Sequence, residues 1–279
     1  MEIKVYSARE EIKLTKLLKD IAIGFVEGHE LAMTFFIRDL KASYKRSFLG
    51  VFWLFIPALA TALVWIFLNN QQVIVVKNAP MDYSAFTICG TLIWSLFTES
   101  INKPIQRYQA AMGMMSKLNF PKEALILVSL YDLLFSMFLK LIVLIPILLV
   151  LGYNPGWQFF PALLWILYMV LMGLSIGILI TPIGLLYSDV GRLISIALPF
   201  LMFMTPVVYP LSKGSILSDF QYLYPVTPFL ERARSYIGGY DFVMDYSLSV
   251  WSILTVIILI VGLIIIRIAM PAIIERSGS

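Results

Sequence analysis

Four stretches without a single charged residue, Ser47–Val76, Leu141–Ser188, Leu193–Ser212 and Tyr246–Ile266, fix the solvent in which this chain can fold. Each is long enough to carry at least one helix across a hydrocarbon layer about 30 Å thick, and Leu141–Ser188 is long enough to need a turn within it. A soluble α/β protein can be as rich in Leu and Ile, but its helices carry a charged face that these stretches lack. Only 14% of the residues are charged, against roughly a quarter in a soluble domain. The expected fold class is therefore an all-α integral membrane protein. Its six spans are placed at Gly50–Asn69, Ser84–Ile101, Ala124–Leu151, Phe160–Tyr187, Leu193–Tyr209 and Ser249–Met270. That divides the chain into residues 1–49 (a cytoplasmic N-terminal region), 50–270 (a six-helix transmembrane domain) and 271–279 (a cytoplasmic tail).

The basic residues sort by side. Nine precede the first span, Lys103, Arg107, Lys117 and Lys122 follow the second, Arg192 follows the fourth, and Arg267 and Arg276 lie at the C-terminal end. The opposite loops hold only Lys77, Lys213, Arg232 and Arg234, and Lys140 lies within a span. The positive-inside rule then puts both termini in the cytoplasm. The net charge of +4 is explained by this topology and calls for no nucleic acid. Residues 1–20 show no apolar stretch followed by small residues, so no cleaved signal peptide is expected. The single cysteine, Cys89, supports neither a disulfide nor a cysteine metal site within one chain.

Three segments outside the spans carry information. In Gly28–Lys45, Glu30, Thr34, Arg38, Lys41 and Lys45 recur at helical steps opposite Met33, Phe36, Ile37, Leu40 and Tyr44, the pattern of a helix lying in the membrane surface. Its basic face can meet anionic lipid or a cytoplasmic partner. The connection Asn102–Glu123 is longer than a linker needs to be, which points to a short docking helix, and Pro121 suits the first turn of the helix that follows. Between Pro210 and Ser247, Ile216–Tyr224 and Phe229–Ile237 are too short to span but apolar enough to re-enter from the outer face, with Thr227 and Pro228 as a cap and first-turn pair. A structured external loop is the competing expectation, favoured by Glu231, Arg232 and Arg234.

Within the spans, Ser129, Asp132, Ser136 and Lys140 form a polar stripe that must face the bundle interior, either as a functional path or as a structural ion pair. Gly173-Leu-Ser-Ile-Gly177 permits close helix approach. Phe48, Phe52 and Phe55 share a face of the first span, with Trp53 and Trp65 nearer its two ends. The sequence contains no G-x-x-x-x-G-K-[ST] or H-E-x-x-H, and its G-x-S-x-G match, Gly173–Gly177, lies inside an apolar span and not at a strand-to-helix elbow, so energy and covalent chemistry are expected from outside the chain.

Arg38-Asp39-Leu40-Lys41, Tyr44-Lys45 and Ser47-x-Leu49-Gly50-x-x-Trp53 with Pro57 together resemble the entry of ABC-2 type permeases that export polysaccharides, the group including O-antigen, capsule and teichoic acid exporters. Phe120-Pro121-Lys122-Glu123, Ser188-Asp189-Val190, Thr205–Pro210 and Pro225-x-x-Pro228 extend the resemblance over nearly the whole chain. Tyr224 and Ser188 depart from it, standing where the family usually has Asn and Arg.

The resemblance implies a homodimer of six-helix subunits in the bacterial inner membrane, served by two copies of a separate ATPase that binds ATP and Mg. No cofactor is expected in this chain. The implied cargo is a polysaccharide carried on undecaprenyl diphosphate. Carried over by residue, it makes Gly28–Tyr44, with Glu30, Arg38 and Lys41, an ATPase-contacting surface helix. Met114, Lys117, Asn119, Phe120, Pro121, Lys122 and Glu123 become a coupling segment. Tyr224, Pro225, Pro228, Arg232 and Arg234 are expected around an outer gate. Phe52, Trp53, Phe55, Phe200 and Phe203, with Asp132 and Lys140 of the stripe, are the candidates for lining the cargo path. Two alternatives stand beside this: an exporter of a drug or small lipid, and a membrane glycosyl or phosphoryl transferase, which would need a surface cluster of carboxylates.

Overall fold

The computed structural model describes residues 14–45, 50–73, 79–118, 120–154, 156–210, 224–242 and 245–278, and within them it is helical with no strand. In chain order the helices are α1 (Leu14–Lys45), α2 (Ile56–Asn70), α3 (Tyr83–Met115), α4 (Glu123–Val150), α5 (Phe159–Leu186), α6 (Ser188–Met204), α7 (Val226–Gly238) and α8 (Asp245–Gly278). Short 3-10 turns, Gly50–Leu54 and Gly156–Gln158, lead into α2 and α5. Four helices, α3, α4, α5 and α8, are long and apolar enough to cross a membrane. The other two expected spans are shorter. The 15 residues of α2 rise only ~22 Å, and its 3-10 turn adds ~10 Å, enough for the hydrocarbon layer. The 17 residues of α6 rise ~26 Å.

The surface of α4 and α8 confirms the solvent. Both are apolar around most of their circumference, and Phe138, Ile142, Leu149, Ile253, Ile257 and Ile260 stand exposed. Such helices are stable only where hydrocarbon replaces water. By contrast α3 is enclosed by α2, α4, α5 and α7 and forms the core of the bundle.

Local chemistry sets the boundaries. The Asp82 carboxylate caps α3 by accepting from the N–H of Ser84 (2.9 Å) and Ala85 (3.3 Å). A single extended residue, Tyr187, separates α5 from α6. Thr205 ends α6 in extended conformation because the ring of Pro206 disfavours a helical residue before it. Gly239, with φ of 68°, closes α7 in the left-handed region, where its N–H donates to the Ser235 carbonyl.

The Gly173/Gly177 expectation is met on α3: a Cβ at either position would strike the backbone around Phe97–Ile101, so these glycines let α5 lie directly on α3. At the far side, Gly262 brings α8 against Ile178 and Leu179 of α5.

Three boundaries are corrected. The surface helix begins at Leu14, not Gly28, because Leu17, Ile21, Gly24, Gly28 and Ala32 make one continuous buried stripe, with Gly24 and Gly28 seated on Glu123 and Ala124 at the start of α4. The second span does not stop at Ile101: α3 continues to Met115, so the expected separate docking helix is an extension of α3 and only residues 116–122 turn into α4. Pro121 precedes the cap residue Lys122 instead of occupying the first turn, and its carbonyl accepts from Ala124 N–H. Of the two expected outer half-helices, Phe229–Ile237 lies within α7, whereas Ile216–Tyr224 falls outside the described residues apart from Tyr224.

Candidate transport path and its cytoplasmic couplings

The polar stripe of α4 meets a matching set of groups on α3. Ser129, Ser136 and Lys140 are buried. Lys140 Nζ donates to Glu99 Oε1, and Ser136 Oγ donates to Glu99 Oε2 at 2.5 Å. Eight residues before Lys140, about two turns along α4, Asp132 Oδ2 accepts from Arg107 Nε at 2.7 Å and lies 3.9 Å from Lys103 Nζ. Arg107 also reaches Asp39 on α1. Partial burial raises the Asp39 carboxyl, and hydrogen bonds from Arg38 and Arg107 more than offset this, leaving it below the ordinary carboxylate range. Asp39, Arg107 and Asp132 therefore tie the surface helix to both α3 and α4. Asp132 and Lys140 do not stand on an open cargo wall as expected: ionic groups at this depth take partners on the neighbouring helix, because an unpaired charge there is costly.

Next to this ionic face, about a quarter-turn around α3, lies a groove. One part, of about 410 Å³, is lined by Thr61 of α2, by Ser95, Thr98 and Asn102 of α3, and by Ser195 of α6, with Trp94 and Pro199 among its apolar members. It shares Asn102 and Ser195 with a second part of about 570 Å³, where Gln106, Gln109, Gly191 and Arg192 continue the wall. From Thr91 to Gln109 the groove follows α3 for roughly 27 Å. Hydroxyls and amides facing an open groove between membrane helices can exchange hydrogen bonds with a polar solute, which lipid tails cannot do. The sequence expectation missed this wall. Its signal was present: Ser95, Thr98, Asn102 and Gln106 repeat the i, i+3, i+7, i+11 offsets of the α4 stripe.

The aromatic candidates lie elsewhere. Phe52, Trp53, Phe200 and Phe203 are exposed, Phe55 packs its ring against Phe52, and Phe203 sits 6.1 Å from Trp65. None of them lines either part of the groove.

Among the expected coupling residues, Glu30, Lys41 and Lys117 are exposed, and Arg38 is exposed while bonded to Asp39 at 2.8 Å and stacked over Phe35. Asn119 lies outside the described residues. Met114 and Phe120 are partly buried, Phe120 edge-on to Phe35 at 6.3 Å. The Lys122 carbonyl accepts from Tyr108 Oη at 2.8 Å. Glu123 is corrected from a partner contact to an internal one. It is buried, bonded to Arg267 of α8 at 2.6 Å. A cleft of about 450 Å³, bordered by Asp20, Glu27, Phe120, Pro121, Lys122 and Arg267, opens beside it.

The outer element is equally enclosed. Arg232 donates to the Phe242 carbonyl at 2.6 Å. Arg234 is fully buried, donating to the carbonyls of Pro206 (2.8 Å) and Val207 (3.0 Å) and to Glu231 (2.5 Å), with its guanidinium over the Phe86 ring. Gly90 of α3 supplies the room, since a Cβ there would strike both Arg234 and the Val207 carbonyl. Phe229 stacks on Tyr168 of α5. These arginines thus face inward rather than marking a solvated loop. Pro225 occupies the cap position of α7, Pro228 is buried in its first turn and Tyr224 is half-buried beside it. Thr227 does not cap: α7 starts at Val226, and the Thr227 hydroxyl is buried without a partner among the described residues.

Three curated proteins are similar to this chain, all called O-antigen export system permease protein RfbA. The one from Myxococcus xanthus is 28% identical over 205 residues, 71% of this chain and 75% of its own length. Two from Klebsiella pneumoniae are 22% identical over 206 residues (71% and 75%) and 24% identical over 238 residues (82% and 87%). No family profile matches.

Proposed function

We propose, from the premise that this chain is an export permease of the ABC-2 type, that it is the transmembrane subunit of an ATP-driven exporter moving a lipid-linked polysaccharide across the bacterial inner membrane. It is a multi-pass membrane protein and a transporter component, not an enzyme. In this reading a separate ATPase binds ATP and Mg, and both termini face that partner. The relatives' shared name supports a glycan of the O-antigen class; the undecaprenyl diphosphate carrier is part of the proposal.

The observation that carries the reading is the hydroxyl and amide groove between α2, α3 and α6. A single chain leaves it open on one side. A second copy facing it would close a path, and the exposed rings of Phe52, Trp53, Phe200 and Phe203 lie on the helices that would meet that copy. The exposed Glu30, Arg38, Lys41 and Lys117 are the groups available to the ATPase. The Asp39–Arg107–Asp132 link would carry movement of α1 into the bundle. Deleting the gene and restoring it on a plasmid tests the function. Loss of surface glycan with accumulation of the polymer inside the cell, reversed by the plasmid, is expected. Unchanged surface glycan with no internal polymer refutes it.

A further inference from the structure

The charge pattern around α3 bears on what this groove can carry. α3 holds three ionic groups, Glu99, Lys103 and Arg107, on the face next to the groove, and each has a counter-ion on α4 or α1. Glu99 takes Lys140, and Lys103 and Arg107 take Asp132, with Arg107 also on Asp39. What remains for the wall is Thr61, Ser95, Thr98, Asn102, Gln106 and Ser195, all neutral; the four hydroxyls donate to backbone carbonyls of their own helices, so what they offer the groove is oxygen acceptors, which suit a donor and not an anion. The cationic member is Arg192 at the cytoplasmic end of the groove, itself 3.7 Å from Asp189.

A chain of phosphates or carboxylates entering this groove would shed water without gaining a counter-charge along most of its length. The cost of leaving ions unpaired in a low-dielectric channel rises with every repeat. A chain of sugar hydroxyls has no such cost. Its hydroxyls donate to the free wall oxygens in place of water, and bonds between neutral groups stay weak enough for the chain to slide. We infer that the cargo drawn along this groove is an uncharged, hydroxyl-rich glycan rather than a polyanion, with any anionic group confined to the end that meets Arg192. This rests on the export reading above and narrows its substrate class.

The test uses the native host. The gene is deleted, the polymer accumulating on its lipid inside the cell is extracted, and its repeat unit is analysed for phosphate and carboxylate and run on an anion exchanger. A neutral repeat unit is the expected result. A repeat unit bearing phosphate or carboxylate overturns this inference and leaves the export reading standing, whereas absence of any accumulated polymer overturns the export reading and this one with it. A second measurement reads the wall directly. With membrane levels matched, Asn102→Asp and Asn102→Lys are compared for surface glycan. For neutral cargo the two fall together. For polyanionic cargo the Asp variant falls at least about tenfold further than the Lys variant, given the Coulomb energy of one added charge at groove distances. A gap of that size in either direction overturns the inference.

Discussion

Lys140 is the side chain whose role the sequence leaves most open, and the structure makes it a pair partner, which can be tested by a mutant cycle. Its side chain is 1% exposed and its ammonium is bonded to Glu99, whose other oxygen holds Ser136. Lys140→Met removes the positive charge and leaves Glu99 ionised against α4 with one neutral donor. Breaking a buried pair in this way costs about 3–5 kcal/mol. The Glu99 side chain is 24% exposed, so water recovers part of the loss and the lower end, about 3 kcal/mol, is expected. Replacing both partners by similar apolar volumes, Glu99→Leu with Lys140→Met, removes the orphaned charge. Glu99→Leu alone strands the Lys140 ammonium at a cost of about 3–5 kcal/mol, while the double variant should lie within about 1 kcal/mol of wild type, a coupling of about 5 kcal/mol or more. Stability is read by denaturant titration in detergent micelles, and transport by surface glycan in a deletion host. If Lys140→Met is as stable as wild type but abolishes transport, or if the two single effects simply add, Lys140 acts on cargo and the pairing argument is wrong.

Other perturbations have equally definite outcomes. Gly177→Leu drives a side chain into the α3 carbonyls at Ser100 and Ile101, and should lower stability by at least about 1–3 kcal/mol in a thermal melt of the purified protein. Arg234→Gln leaves the Pro206 and Val207 carbonyls and Glu231 without their buried donor. It should cost about 3–5 kcal/mol, more than the same change at Arg192, which is exposed, on the same thermal melt. Asp39→Asn unties α1 from Arg107, so hydrolysis by the assembled complex should persist while export per ATP falls, as measured in proteoliposomes. The pH sign follows from the lowered Asp39 pKa: the link's contribution is whole above the unfolded carboxylate pKa of about 4 and is lost as pH falls through the lower folded value. Wild type and Asp39→Asn should therefore differ at pH 7 and converge as the pH falls through the lowered Asp39 pKa, in the accessibility of α1 to protease.

Much of this architecture is legible in the sequence because lipid imposes uniform rules. Length and apolarity located the four long apolar helices α3, α4, α5 and α8, and Gly173 and Gly177 showed a close contact without naming its partner. What failed has a common cause. The mixed charges around Lys16, Lys19 and Asp20 disguise a helix whose buried stripe runs through Leu17, Ile21, Gly24 and Gly28, because glycine reads as a break when it is serving as a seat for Glu123. The basic residues from Asn102 onward read as a loop, although Lys103 and Arg107 have their counter-charges at Asp132 and Asp39, far away in sequence. An outer helix with two arginines reads as solvated, although Arg234 spends its donors on carbonyls released where Pro206 ends α6. In each case the deciding partner is a long-range contact, and local pattern carries no trace of it.

Why α3 rather than another helix should carry the groove follows from the same constraint. A helix that faces lipid must be apolar around most of its circumference, as α4 and α8 are, because hydrocarbon satisfies no polar group. A helix enclosed by protein is released from that demand. α3 is the least apolar and the most enclosed of the four long helices. It distributes its polar groups by face: small contacts with the glycines of α5, ions matched against α4 and α1, and neutral hydroxyls and amides toward α2 and α6. α1 grips the ionic face through Asp39. On the mechanism proposed above, a push on α1 would reach the helix that carries the groove wall in one step, and the neutral face would stay free of the charges that hold a sliding chain in place.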